Sequence, residues 1–272
     1  NSSASAYTLA ANAGSAGNGT ALTVLGDIVN NSSNATGQTI SMALALGSTS
    51  TGIINTASGN ITISGVISGA GALTKTGNST LTLTGANTNT GGFTVNGGTL
   101  TSSASDALKG AVTVNTGATL TMGNHNAMFT STTSLTINGG TLNLGTWALG
   151  QGGYTGTFNN ATITGTGGYF NAGTITLTGT NVWTIAHEAG WYGGNLIVNS
   201  GTTTIPGFVN NRGNDIIKNG AGTLVVSGNS SITGNFTMNN GTLAINAAQA
   251  LGTSTCIFTI TGGTLDNTSG AN

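Results

Sequence analysis

Apolar and small polar residues alternate in short bursts along this chain, and the bursts return on a nearly fixed interval. Leu81 and Leu83 alternate with threonines in TLTLTG, and Phe93 and Val95 follow in FTV. Val112 and Val114, Leu120 and Met122, Leu135 and Ile137, and Leu142 and Leu144 continue the pattern. After a looser stretch, Gly145 to Gly173, it resumes at Ile175 and Leu177, Leu224 and Val226, Phe236 and Met238, and Leu243 and Ile245. Successive side chains of a strand point to opposite faces, so this alternation marks strands with one face buried. Threonine suits the other face, because its branched β-carbon fits the pleat and its hydroxyl tolerates water. Only ASDALKG (104–110) and AAQALG (247–252) could form even a turn of helix.

The breaks between bursts recur as well. NGGTL ends at Leu100, NTGATL at Leu120, INGGTL at Leu142, NNGTL at Leu243 and TGGTL at Leu265. The step from Leu100 to Leu120, from Leu120 to Leu142 and from Leu243 to Leu265 is each time close to twenty residues, the period of a solenoid coil. One coil of that length has no interior of its own. Stacking the next coil closes an apolar core and satisfies the backbone groups of both, which is the logic of a solenoid. The expected fold is an all-β, single-stranded parallel β-helix over 1–272 as one continuous domain, with about twelve irregular coils of roughly 20–24 residues. Residues 1–60 read as less regular early coils or as a cap. A longer repeat overlies the short one, since Lys75 to Leu108 aligns without a gap on Lys218 to Leu251.

Composition narrows the function. Charged residues make up 3% of the chain, four cations and five acids, for a net charge of −1. Four cations cannot line a phosphate backbone, so nucleic acid is not an expected partner. A surface with so little mutual repulsion favours self-association or association with a matrix. No apolar run reaches membrane-spanning length. Cys256, the single cysteine, reads as a buried or half-buried strand residue in TCIFTI, and no metal-ligand spacing accompanies it.

Few residues could carry chemistry. A glycine-rich phosphate loop needs a following helix and a lysine; NGG leads instead into TL and more strand. Asn96, Gly97, Gly98, Asn138, Gly139, Gly140, Asn239, Asn240, Gly241, Gly262 and Gly263 are therefore expected to form structural corners. The five carboxylates are Asp27, Asp106, Glu188, Asp215 and Asp266. At the coil period above, Asp106 and Asp215 stand about five coils apart, too far along a solenoid to act as a pair. Trp183, His187, Glu188, Trp191 and Tyr192 form the one dense aromatic and polar cluster, a candidate sugar or partner patch. His125 reads as a turn residue. Thr-x-Thr in TLTLTG (80–85) and TITLTG (174–179) resembles ice-binding faces, but the irregular intervals between such triplets argue against a common register. No catalytic residue, cofactor or metal site is expected.

The segment GALTKTGNSTLTLTGANTNTGGFTVNGGTL, 71–100, resembles the passenger-associated transport repeat of bacterial autotransporters. Leu73, Lys75, Gly77, Thr80, Leu81, Leu83 and Gly85 match its opening and core, and Asn87, Thr90, Gly91, Gly92, Thr94, Val95, Asn96, Gly98, Thr99 and Leu100 match the rest. It departs at Asn89, where an aromatic is usual, and at Ser79, where glycine is usual. A second copy at about 214–243 keeps Lys218, Gly220, Thr223, Leu224, Asn239, Gly241, Thr242 and Leu243, with Asn235 in place of a glycine. The resemblance implies a right-handed parallel β-helix displayed on a bacterial surface or secreted, with no catalytic residues. The expected function is structural or adhesive, mediating attachment or cell–cell association. The alternatives are a self-assembling subunit of a fibre, sheath or matrix, and a polysaccharide-binding or carbohydrate-active β-helix. Expected partners are other copies of the chain, surface or matrix polymers, and glycans.

Overall fold

Alternation becomes strand, and the interval near twenty becomes parallel stacking. The computed structural model describes residues 8–10, 21–32, 37–48, 51–125, 127–128, 134–147, 155–166, 169–170, 174–185, 190–191, 194–208, 215–252 and 256–268. The chain is an all-β parallel β-solenoid, and no helix occurs among the described residues. It comprises two compact units, Asn1–Thr133 and Ser134–Asn272.

In the first unit one face stacks Thr8–Leu9, Gln38–Ile40, Ile61–Ile63, Thr80–Leu83, Gly98–Ser102 and Ala118–Met122. A second face stacks Ile28–Val29, Thr51–Asn55, Ala72–Thr76, Phe93–Val95 and Ala111–Asn115. Ala21–Val24, Ala43–Leu46 and Ile67–Gly69 form a short third ladder, so the early stretch read as coils or cap consists of three-sided coils. Where that ladder stops, Asn87 takes its place. Its Oδ1 accepts from Ile67 N at 2.8 Å and its Nδ2 donates to Ala107 O at 2.6 Å, bridging three coils.

In the second unit the first face holds Thr141–Asn143, Thr162–Gly165, Asn181–Ile185, Thr202–Ile205, Thr223–Val226, Thr242–Ile245 and Thr264–Asn267. The second face holds Ser134–Asn138, Thr155–Asn159, Thr174–Thr178, Gly194–Val198, Ile216–Asn219, Phe236–Met238 and Phe258–Ile260. The looser stretch after Gly145 thus supplies regular rungs. It escapes the alternation test because Gly156 stands in the row Leu135–Gly156–Ile175, where an apolar side chain is expected. Tyr169–Phe170 and Gly190–Trp191 pair beside it as a separate two-stranded sheet.

Register aligns like with like. Ile61, Leu81, Leu100 and Leu120 form one inward row, and Ile63, Leu83, Ser102 and Met122 the next. All eight are buried, the leucines completely. The segments read as helix candidates are turns, closed by Ala107 N donating to Ala104 O and Ala250 N to Ala247 O; they plug the core with Ala107, Leu108 and Ala250.

Candidate functional site

The side faces come first, because they form most of what a partner meets. Thr39, Thr62, Thr82, Thr101 and Thr121 align on five successive rungs, outward on the first face of the first unit. Thr80, Thr99 and Thr119 align beside three of them. On these rungs the irregular intervals are absorbed in the loops, whereas the two triplets singled out in the sequence share no register, Thr80–Leu83 lying on a first face and Thr174–Thr178 on a second. In the second unit Thr136, Thr157 and Thr176 form a similar row. Asparagines bridge the rungs at the strand ends: Asn115 Nδ2 donates to Asn96 Oδ1 at 2.7 Å, Asn159 to Asn138 at 3.0 Å and Asn239 to Asn219 at 2.9 Å.

The NGG segments lie beside these asparagines. Phe93, Val95 and Leu100 are buried, and the chain turns between them at Gly98, with φ +57°. A Cβ there would stand 2.5 Å from Gly77 O and Ser79 O, so the tightness of the corner itself excludes a side chain. Gly139, Gly241 and Gly263 also have positive φ, at +73°, +78° and +95°.

Two lysines lie against these corners, and sequence reasoning missed their placement. Lys75 stands in an inward row between Ile54 and Val95, and Lys218 between Leu196 and Met238. Both are fully buried. Lys75 Nζ donates to Thr76 O at 2.9 Å, Gly77 O at 2.8 Å and Gly97 O at 2.8 Å. Lys218 Nζ donates to Asn219 O at 3.3 Å, Gly220 O at 2.9 Å and Asn240 O at 2.8 Å. An ammonium has three donors, and each finds a carbonyl. Burial pushes both pKa values down to about 8. The signal was legible as phase, since Leu73 and Lys75 are two apart in one strand, as are Ile216 and Lys218, and so share a face.

Of the candidate sugar patch, only the side chain of Trp183 falls among the described residues, and it departs from the expectation. Trp183 is 5% exposed, its ring packed edge-on to Phe158 with centroids 6.4 Å apart, so it serves the core and offers no stacking surface. The strand phase of NVWTI puts Asn181, Trp183 and Ile185 inward and leaves Val182 and Thr184 outside. Trp191 belongs to the small two-stranded sheet, while His187, Glu188 and Tyr192 lie outside the described residues.

The four acids among the described residues lie on different elements. Asp27 is exposed beside a shallow depression lined by 22–28. Asp106 sits in a turn with φ +54°, 3.9 Å from Lys109 Nζ. Asp215 Oδ1 caps Asn235 N at 2.9 Å, and Asp266 lies on the exposed strand Thr264–Asn267. Among the described residues, no three His, Cys, Asp or Glu side chains come together as a metal site, and no helix is long and apolar enough to cross a membrane. Cys256 is half-buried just before Phe258–Ile260. Burial raises its pKa, against a hydrogen bond from the Phe236 backbone, and Asp215 raises it further, which keeps it a thiol at neutral pH. His125 lies in a turn.

Comparison with known families adds one positive finding. The model of the passenger-associated transport repeat matches residues 73–101 and 216–245, one copy in each unit. No curated protein and no solved structure gives a significant match. Each matched segment contains one buried lysine and the corner carbonyls that hold it. These two repeats, set in a parallel β-solenoid, support the identification of the chain as an autotransporter-type passenger domain and its place at the cell surface or in the extracellular space.

Proposed function

We propose that this passenger domain is a non-enzymatic adhesive and structural element that mediates attachment or cell–cell association through its side faces. The observation that supports this reading most is the threonine array of the first unit: Thr39, Thr62, Thr82, Thr101 and Thr121 in register, flanked by Thr80, Thr99 and Thr119. Such a face offers many shallow hydrogen-bonding groups and little charge. The dispersed acids fit the same reading. Contact of this kind is uncharged, so raising the salt concentration leaves it nearly unchanged, unlike charge-steered adhesion. Beads coated with the purified chain test it. Clumping, or attachment to cells, that persists from low to high salt supports the reading; coated beads no more adherent than bare ones refute it.

A second reading, self-assembly into a fibre or sheath, draws on a different observation. Charged residues make up only 3% of the chain, so little mutual repulsion opposes the association of copies. Sedimentation over a wide concentration range distinguishes the readings: growing species favour assembly, and a constant mass rules it out.

A further inference from the structure

Lys75 and Lys218 lie far apart in the chain and belong to different units, yet each amine spans an equivalent pair of corners. Two of its acceptors come from the lysine's own corner. The third, Gly97 O or Asn240 O, comes from the corner of the following coil. We propose that each passenger-associated transport repeat is a two-coil latch, in which the lysine makes burial of the first coil conditional on stacking of the second, whose corner completes a carbonyl cage around the ammonium.

The row that holds each lysine is otherwise apolar, with Ile54 and Val95 beside Lys75 and Leu196 and Met238 beside Lys218. No titratable side chain occurs in the flanking strands Thr51–Asn55, Phe93–Val95, Gly194–Val198 and Phe236–Met238, so no countercharge compensates the ammonium. An ammonium with neither a countercharge nor a full set of hydrogen-bond acceptors is not buried, because losing its water costs more than apolar packing returns. Until the next corner arrives, the amine therefore stays in water and its coil stays open. Once the corner arrives, three charge-assisted hydrogen bonds replace that hydration. The cage also dictates the sequence around it. A Cβ on Gly241 would stand 2.6 Å from Lys218 Nζ, and Gly241 and Gly98 both have positive φ. The latch thus accounts for the span of the repeat, which runs from the lysine strand to the NGG or NNG corner that closes it.

Amine labelling of the folded chain at pH 8.5, read by mass spectrometry, tests the latch, with the partly exposed Lys109 as the internal reference. Lys75 and Lys218 should label at least roughly a hundredfold more slowly than Lys109, because labelling requires coil opening. Once exposed they lose the desolvation that lowers their pKa and react as ordinary lysines, so slow labelling reports the closed cage. Leu100→Ala, which weakens the following coil without touching the amine, should speed Lys75 labelling roughly tenfold or more and leave Lys218 unchanged; Leu243→Ala should do the reverse. If either variant unfolds, hydrogen exchange of the wild type in sub-denaturing urea replaces it. Lys75 exposure should then coincide with exchange of Phe93–Val95 and Gly98–Ser102. Labelling of the caged lysines at the Lys109 rate overturns the proposal, as does Lys75 exposure independent of the following coil.

Discussion

Raising the pH should stabilise this protein over a range in which many proteins weaken. In the folded chain Lys75 and Lys218 titrate at about 8, against an ordinary lysine value of 10.5, because burial disfavours the charge. Below about pH 8 both folded and unfolded chains carry these protons, and stability is flat with respect to them. Between about 8 and 10.5 the unfolded chain keeps protons that the folded chain has released, so the free energy of unfolding rises with pH. At about 1.4 kcal/mol per pKa unit, the gap corresponds to about 3 kcal/mol for each lysine. The assay is urea unfolding at intervals from pH 7 to 10.5, for the wild type and for Lys75→Met/Lys218→Met. Every other titratable group is common to both proteins, so the difference between the curves isolates the lysines. The wild type should gain several kcal/mol on the double variant across this range. A constant difference, or a wild type that weakens relative to the variant above pH 8, refutes the reasoning. The sign agrees with the latch: a charged amine makes closure demanding, and removing its proton relaxes the demand.

Leu100→Ala should cost about 2–5 kcal/mol in urea unfolding, whereas Thr101→Ala, one residue away on the outer face, should stay within about 0.5 kcal/mol. Equal costs would contradict the assigned strand phase. Gly98→Ala should destabilise by at least about 1–3 kcal/mol, since positive φ and two backbone oxygens both oppose a side chain; a neutral result would mean a differently shaped corner. Asn89 is fully buried with neither side-chain polar atom hydrogen-bonded, so Asn89→Leu should raise the melting temperature by the equivalent of about 1 kcal/mol or more. A lowered melting temperature would reveal a polar partner for that amide.

Most of the architecture was legible because two periods coincide here. Alternation identifies inward residues such as Leu81, Leu83, Phe93 and Val95, and the leucine spacing stacks them. The pattern fails where an inward position holds an atypical residue. Gly156 hides a regular rung, Ser102 interrupts a row of leucines and methionine, and Lys75 and Lys218 look like surface residues until their phase is counted. Trp183 misleads in the opposite direction, since an aromatic beside a histidine and an acid suggests a binding patch while its strand phase points inward. Asparagine is ambiguous for a different reason. Asn96 bridges coils at the exposed edge, whereas Asn87 bridges them inside, and only the loop's path separates the two. The proposed contact surface was the least legible, because threonine on an outer face satisfies strand propensity whether or not it contacts a partner.

The central claim is that coils stack in one fixed register, and spin labels at paired cysteines test it most directly. In a chain with Cys256→Ser, labels at Thr82→Cys and Thr101→Cys occupy partner positions on adjacent rungs, with backbones roughly 5 Å apart. Labels at Thr82→Cys and Thr121→Cys are two rungs apart, roughly 10 Å. The account predicts strong dipolar broadening for the first pair and distinctly weaker broadening for the second. Equal broadening in both pairs, or none in the first, contradicts it.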